Sequence, residues 1–313
     1  MNTLIPKISV IVICYKQEDT IRRAIDSLLC QKDYIYEICV SDDCSPDGTW
    51  DILEEYNRQY PGLFKLHRNP KNVGIFKNIE YSWTMPTGEI ITRLSGDDEC
   101  GAGWYKTVVE YIQKNNIDYK NELFCIYGDY MQVNPNGNSI RYSNKLVSSE
   151  QINPLKLKIR QLLCNRSSCY SAKVLQRFVK VSNGRSYDVE QMLDSQLQIF
   201  SDKNYYIPYV GNIYYAGIGI SVNMPSKDKV DSFIRVYDKL LDFCKTKNIT
   251  VDKKDISYIS FMKAYRYWGL YKRFSDFTLM FKWYIKSIDF SLGFYGLQMD
   301  RIWFAFNRRI SRK

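Results

Sequence analysis

Lys7-Ile8-Ser9-Val10-Ile11-Val12-Ile13-Cys14-Tyr15 is the first strongly patterned stretch of the chain, and Glu37-Ile38-Cys39-Val40-Ser41-Asp42-Asp43-Cys44-Ser45-Pro46-Asp47-Gly48 is the second. Both are short, β-rich and apolar, and about one helix's worth of residues separates them. That is the pattern of a βα unit repeated in parallel. The second run ends in two adjacent carboxylates. In an open α/β sheet, ligands bind outside the carboxyl ends of the strands. The unit therefore predicts both a fold class and the edge on which a pocket opens.

Working outward, residues 8–14 read as a strand at the centre of a sheet covered on both faces. Over 20–29, Ile21, Ala24, Ile25, Leu28 and Leu29 share one face while Arg22, Arg23 and Asp26 lie off it, which predicts an amphipathic helix. A strand is expected over 35–41. Ser45-Pro46 predicts the start of the next helix, with Ser as cap and Pro in the first turn, continued by Ile52, Leu53 and Tyr56. Further strands are expected at 63–67, 89–94 and 123–127, with helices from Ile75 through Trp83 and over 104–117. Beyond this the period changes, and 130–133 with 139–142 reads as a β-hairpin around Asn134-Pro135-Asn136-Gly137-Asn138. Residues 145–170 match no element pattern, 172–179 and 189–200 read as helices, and 205–215 as a strand. From 227 onward the pattern is mostly helical, and the polar segment 223–228 suggests two parts, 1–222 and 223–313.

The chain has 313 residues, enough for one large α/β domain and an appendage. The formal net charge of +10 is uneven: residues 241–313 carry 15 Lys/Arg against 6 Asp/Glu, and residues 1–240 carry 29 against 28. The same tail holds 18 aromatics. Trp, Tyr and Lys/Arg together suit the headgroup level of an anionic bilayer, so peripheral membrane contact is one reading and a packed helical subdomain the other. A nucleic-acid ligand fits poorly with a near-neutral remainder and no recognisable module. The nine cysteines form no Cys-x-x-Cys pair and several lie in apolar runs, as buried thiols in a reducing compartment would. No stretch approaches a spanning helix, and the first apolar run lacks the flanks of a signal peptide.

Three acidic groups stand out. Asp42-Asp43 places two like charges at a strand end, which a ligand, a cation or the helix start at Ser45-Pro46 could offset. Tyr15, at the end of the first strand, can stack on a flat ring. Asp97-Asp98 again follows an apolar strand, and its hard oxygens suit Mg2+ or Mn2+ bridging a diphosphate. Asp188 could cap a helix or act as a general base, with Glu190 and Asp194 as rivals. No Gly-x-Gly-x-x-Gly follows the first strand and no P-loop is present. The single histidine, His67, sits in a strand and leaves little room for histidine-based zinc or triad chemistry.

In order and spacing, the runs at 8–15 and 40–49, Asn69-Pro70-Lys71-Asn72-Val73-Gly74, and Gly88-Glu89-Ile90-Ile91-Thr92-Arg93-Leu94-Ser95-Gly96-Asp97-Asp98 resemble the family 2 glycosyltransferases of bacterial cell-surface polysaccharide synthesis. The resemblance is strong over about 7–105, weaker to about 220, and absent from the tail. It implies a GT-A fold: a nucleotide-binding, mostly parallel sheet with helices on both faces, here followed by a mostly helical, basic, aromatic region. It further implies inverting transfer of a sugar from a nucleotide-sugar donor, in the first place a UDP-sugar, to a hydroxyl of a glycan or lipid-linked glycan at the inner face of the membrane. Tyr15 and Asp43 would meet the base, Asp42 would support their loop, Asp97 would serve metal and diphosphate, Asp98 would help place the sugar or its ribose, and Asp188 would sit near the catalytic base. Two departures stand beside this. Ser95 replaces the first Asp of the family's Asp-x-Asp motif, and Tyr214-Tyr215-Ala216-Gly217-Ile218-Gly219 lacks the Arg and His found there in many relatives. Lys77, Arg93 and Arg185 are the candidates to answer the diphosphate charge instead. A sugar nucleotidyltransferase would want a Gly-rich triphosphate loop where Cys14-Tyr15-Lys16-Gln17-Glu18 stands, and a catalytically silent nucleotide-sugar-binding scaffold is the remaining alternative.

Overall fold

The structure is a computed structural model and describes residues 5–142, 167–178, 201–218 and scattered positions between 231 and 263. The chain divides into two compact units, Met1–Asn223 and Met224–Lys313. The first is built on a nine-stranded sheet. Its strands are β1 (Ile8–Cys14), β2 (Glu37–Asp42), β3 (Phe64–Arg68), β4 (Ile90–Ser95), β5 (Glu99–Cys100), β6 (Phe124–Val133), β7 (Ser139–Tyr142), β8 (Ser168–Ser171) and β9 (Lys203–Tyr215). Among the described residues of this unit, the α-helices are α1 (Ile21–Leu29), α2 (Thr49–Gln59), α3 (Ile75–Ser82), α4 (Trp104–Lys114) and α5 (Ala172–Phe178).

The strand order is β3-β2-β1-β4-β8-β6-β9-β5, with β7 paired to β6. The block β3-β2-β1-β4 is entirely parallel. Beyond it the sheet is mixed, because β8 runs antiparallel to both β4 and β6 while β9 returns parallel to β6. β1 is buried along its whole length. Its residues alternate between two cores: Ile8, Val10, Val12 and Cys14 pack with residues of α1, α2 and α4, and Ile11 and Ile13 pack with Ile79 of α3 and Val174 of α5. A strand covered on both faces must be apolar at every position, which is why its sequence is a continuous run.

The amino ends of the parallel strands are pinned by Glu37. It accepts a hydrogen bond from Ser9 Oγ at 2.6 Å, pairs with Lys65 on β3, and takes the backbone N–H of Thr87 ahead of β4. Burial alone would raise its carboxyl, but the bonds from Lys65, Ser9 and Thr87 outweigh that and hold it below the usual value.

The far half of the sheet is organised by a bulge. Between Tyr127 and Tyr130, β6 advances three residues while β9 advances six, from Tyr206 to Asn212. Pro208, which has no N–H to donate, lies inside this irregularity. The fully buried Asp129 fills it, accepting from Arg141 Nε at 2.9 Å and Tyr206 Oη at 2.6 Å, and Arg141 also donates to the Pro208 carbonyl. β6 is therefore one long strand where the sequence pattern suggested a strand, a break at Gly128-Asp129 and a separate hairpin arm. Its first half pairs with β8 and its second with β7.

A second correction concerns α2. Its N-cap is Gly48, not Ser45, and Ser45-Pro46 belongs to the preceding loop. The Ser45 hydroxyl is already committed to Asp42 and to the Lys16 N–H. Of the eight described cysteines, all free, six are buried, but Cys30 is exposed and Cys44 half-buried. In the second unit the described positions between 231 and 246 and between 253 and 263 are helical, with Ile234, Tyr237, Cys244 and Ile259 buried and Lys263 paired with Asp238. No helix among the described residues is long and apolar enough to cross a membrane. The aromatic stretch 264–313, the helix expected over 189–200 and most of 145–170 lie outside the described residues.

Because the Glu37 carboxyl is held low in the folded state, it adds stability at neutral pH that is lost as pH falls through its folded value. Glu37→Gln should lower the urea midpoint at pH 7, and from about pH 5 downward its midpoint should decline less steeply than that of the wild type, followed by urea denaturation at stepped pH.

Candidate active site

The parallel block delivers the loops after β1, β2, β3 and β4 to one edge. They are laced together there by hydrogen bonds across elements. The first loop meets the second through Lys16 N–H to Ser45 Oγ at 3.0 Å and Gln17 N–H to Thr49 Oγ1 at 2.9 Å. The second meets the third through Asn69 N–H to the Asp42 carbonyl at 2.9 Å, and the fourth meets the first through Gly96 N–H to the Ile13 carbonyl at 3.1 Å. Lys16 and Cys44 both adopt left-handed backbone, with φ of +54° and +58°. Non-glycine residues held there by their surroundings cluster at functional loops.

The two carboxylates of the first pair are both buried, and each is answered by a different device. Asp42 accepts from the Ser45 N–H at 3.0 Å and from the Ser45 hydroxyl, with Arg68 Nε 3.5 Å away. It shapes its own loop. Asp43 reaches across to the third loop: its Oδ1 accepts from Asn69 Nδ2 at 3.0 Å and Val73 N–H at 2.9 Å, and its Oδ2 from Gly74 N–H at 2.9 Å. Gly74 is the N-cap of α3, at φ +86°. Asp43 is thus offset by the N–H groups of the loop that leads into α3, and Asp42 by the Ser45 N–H and Arg68 in place of the helix start expected at Ser45. Tyr15 stands half-buried at the end of β1, with Lys16 Nζ 5.5 Å over its ring. Burial, and then the neighbouring Asp42 charge, push the Cys14 thiol well above its ordinary value, so it is no nucleophile.

The second pair sits in the turn from β4 to β5. Asp97 is half-buried, whereas Asp98 is buried and accepts the Tyr215 N–H at 3.3 Å. Space at Gly96 is tight: a Cβ would displace the Gln17 amide and press on Cys14 Cβ at 3.2 Å. The turn also draws in groups that the sequence pattern did not single out as site residues. Arg23 Nη2 donates to the Asp97 carbonyl at 2.8 Å, its Nε lies 3.2 Å from Glu99 Oε1, and its guanidinium stacks 3.6 Å from the Tyr215 ring centroid. Tyr215 Oη donates to Glu99 at 2.6 Å, and burial followed by that carboxylate pushes the phenol up to about 12. The one sequence hint was that Arg23 falls off the apolar face of α1. Of the proposed charge partners, Lys77 is exposed on α3 and Arg93 is half-buried in β4. Arg185, Asp188, Glu190 and Asp194 lie outside the described residues.

Among the described residues, no group of three or more His, Cys, Asp and Glu side chains could hold a metal by itself. A magnesium-type ion asks for less, since it is commonly held by one or two carboxylates plus substrate phosphates. The half-buried Asp97 carboxylate, at the mouth of the turn, fits that requirement.

The profile described as Glycosyl transferase family 2 matches residues 9–181, and the chain belongs to that family. The EpsE protein of Bacillus subtilis (strain 168) is 36% identical over 93 residues, covering 30% of this chain and 34% of EpsE. A poly(ribitol-phosphate) beta-glucosyltransferase of Bacillus spizizenii is 24% identical over 276 residues, covering 79% of this chain and 42% of that protein. The chain therefore spans about a third of the first relative and less than half of the second. Among solved structures, S. aureus TarS 1-349 in complex with UDP-GlcNAc matches with a TM-score of 0.60 at 17% identity, over 84% of this chain and 73% of that one. That likeness is one of fold, and it places the mixed sheet and its flanking helices in the GT-A-like class.

Asp43→Ala would strip the Val73 and Gly74 N–H groups of their acceptor inside the structure. A loss on the order of 3 kcal/mol in unfolding free energy is expected, measured by urea denaturation of the unliganded protein.

Proposed function

We propose that this protein is an inverting glycosyltransferase that moves a sugar from a nucleotide-sugar donor, in the first place a UDP-sugar, to a hydroxyl of a glycan or lipid-linked glycan in cell-surface polysaccharide synthesis. The observation that carries this reading is the half-buried Asp97 in the turn after β4, held beside the laced loops of β1 and β2 in a chain of this family. Tyr15 would lie against the base. Asp43 Oδ2 accepts one bond from Gly74 and retains capacity for a second donor, such as the N–H of a uracil ring. Asp42 keeps the loop in shape, and Asp98 would help to place the sugar or its ribose.

One of Asp188, Glu190 and Asp194 takes the proton from the acceptor hydroxyl. Its oxygen attacks the anomeric carbon from the face opposite the nucleoside diphosphate, which departs with the bonding electron pair and leaves the carbon inverted. Mg2+ or Mn2+, held by Asp97 and the diphosphate oxygens, would supply charge stabilisation to the leaving group. The basic, aromatic residues 241–313 support a protein that works peripherally at the inner face of the cell membrane, where a lipid-linked acceptor is found.

The test is thermal stabilisation by a panel of nucleoside diphosphates and nucleotide sugars, with and without Mn2+. A uridine ligand should raise the melting temperature in a metal-dependent way, and Asp97→Ala should abolish the metal dependence. A protein stabilised by no member of the panel would not be a nucleotide-sugar enzyme. Of Asp188→Asn, Glu190→Gln and Asp194→Asn, one should keep donor stabilisation and lose transfer by about 100-fold or more. Full transfer in all three would overturn the assignment of the base.

A further inference from the structure

The polar side of α1 and its flanking residues bond to the backbone of the acidic turn and of the segment that follows it, through β5 to the start of α4. Thr20 Oγ1, at the N-cap, donates to the Gly96 carbonyl at 3.1 Å. Arg23 Nη2 donates to the Asp97 carbonyl at 2.8 Å. Ser27 Oγ accepts the Cys100 N–H at 2.9 Å. Gln31, just past the helix, donates to the Gly101 carbonyl at 3.0 Å and accepts the Tyr105 N–H at 3.1 Å. Arg23 and Ser27, four apart, share one row of α1, and Thr20 at its N-cap and Gln31 past its end extend the contact on either side. On its other side the turn is tied to the end of β9, through Tyr215 N–H to Asp98 and Tyr215 Oη to Glu99. Arg23 alone of the row touches both sides, because its guanidinium also stacks on the Tyr215 ring and pairs with Glu99.

We propose that this row on α1 is the device that sets the acidic turn for a metal-bound diphosphate, with Arg23 as its principal positioning residue. The proposal rests on the reading of the site as a nucleotide-sugar site. The turn places two adjacent carboxylates side by side, and its own backbone bonds, Gly96 N–H to the Ile13 carbonyl and Asp98 N–H to the Ser95 carbonyl, leave the Gly96 and Asp97 carbonyls to Thr20 and Arg23. Thr20 at the N-cap and Arg23 on α1 hold the turn through its main chain, and Ser27 and Gln31 fix the segment that follows it. Arg23 does this with a planar fork that bonds, pairs and stacks at once. A lysine can supply the charge but neither the stack nor the fork.

The experiment compares wild type, Arg23→Lys and Thr20→Val, the last removing the hydroxyl that bonds the Gly96 carbonyl, and at 3.4 Å the Gln17 carbonyl, at nearly constant volume. Two quantities are read: the melting temperature of the unliganded protein, and the Mn2+ concentration that gives half-maximal stabilisation at a fixed, saturating UDP concentration. Groups that orient a metal's first ligands typically change its affinity by 10- to 100-fold when altered. Arg23→Lys should therefore raise the half-maximal Mn2+ concentration about tenfold or more, and Thr20→Val about threefold, while the unliganded melting temperatures stay close to that of wild type. A half-maximal concentration unchanged in both variants, with wild type responding to UDP and Mn2+, would overturn the positioning role and leave the nucleotide site standing. A fall in unliganded melting temperature with no change in Mn2+ response would make the row a folding element only, and would also overturn the proposal. No response in the wild type would overturn the reading of the site, and the positioning role with it.

Discussion

β1 is buried on both faces and hydrogen-bonded on both edges, between β2 and β4 and parallel to each. The rest of the first unit follows from that constraint. Parallel neighbours cannot be joined by tight turns, so helices must cross the faces, and those helices form the two cores on which β1 alternates. Parallel strands also end together. The loops after β1, β2, β3 and β4 are brought to one edge by strand direction alone, and the cross-loop hydrogen bonds then fix their shapes. Glu37 performs the corresponding service at the opposite edge, where it gathers Ser9, Lys65 and Thr87. The site is thus a consequence of the sheet's polarity.

That edge is acidic, and four carboxylates so close would weaken the fold if left unanswered. Each is met differently. Asp42 is met by Ser45 and Arg68, and Asp43 by the Val73 and Gly74 N–H groups just ahead of α3. Asp98 is tied to β9. Asp97 is the half-buried member, and the clamp from α1 grips its carbonyl. The arrangement separates three buried carboxylates that tie loops together from a half-buried one, which the proposed function assigns to the metal and diphosphate. It also shows why Ser95 need not abolish the site: a cation bridging a diphosphate can be held with few protein oxygens.

Much of this was legible in the residues. β1, α1, β4 and the hairpin around Asn134–Asn138 carry strong periodicity, because each is buried on one or both faces or turns tightly. Asp42, Asp43, Asp97 and Asp98 could be found because they follow apolar runs directly. Other features left no periodic trace. β5 is two residues long and β8 four, and both are strands only because β9, β4 and β6 pair with them. Ser45-Pro46 has the composition of a helix start, yet Asp42 and Lys16 compete for the hydroxyl and the helix begins at Thr49. Arg23 was visible only as a charge off the apolar face of a helix. Its role comes from a turn more than seventy residues away, and no local pattern reports such a contact.

The central claim is that a nucleotide sugar occupies the carboxyl edge of β1, β2 and β4. Anomalous diffraction from crystals of the full chain grown with UDP and Mn2+ tests it most directly. The uracil ring should lie against Tyr15 and Asp43, with a manganese peak between the diphosphate and the Asp97 carboxylate. A nucleotide bound at any other place on the chain, or a manganese peak away from Asp97, would contradict it.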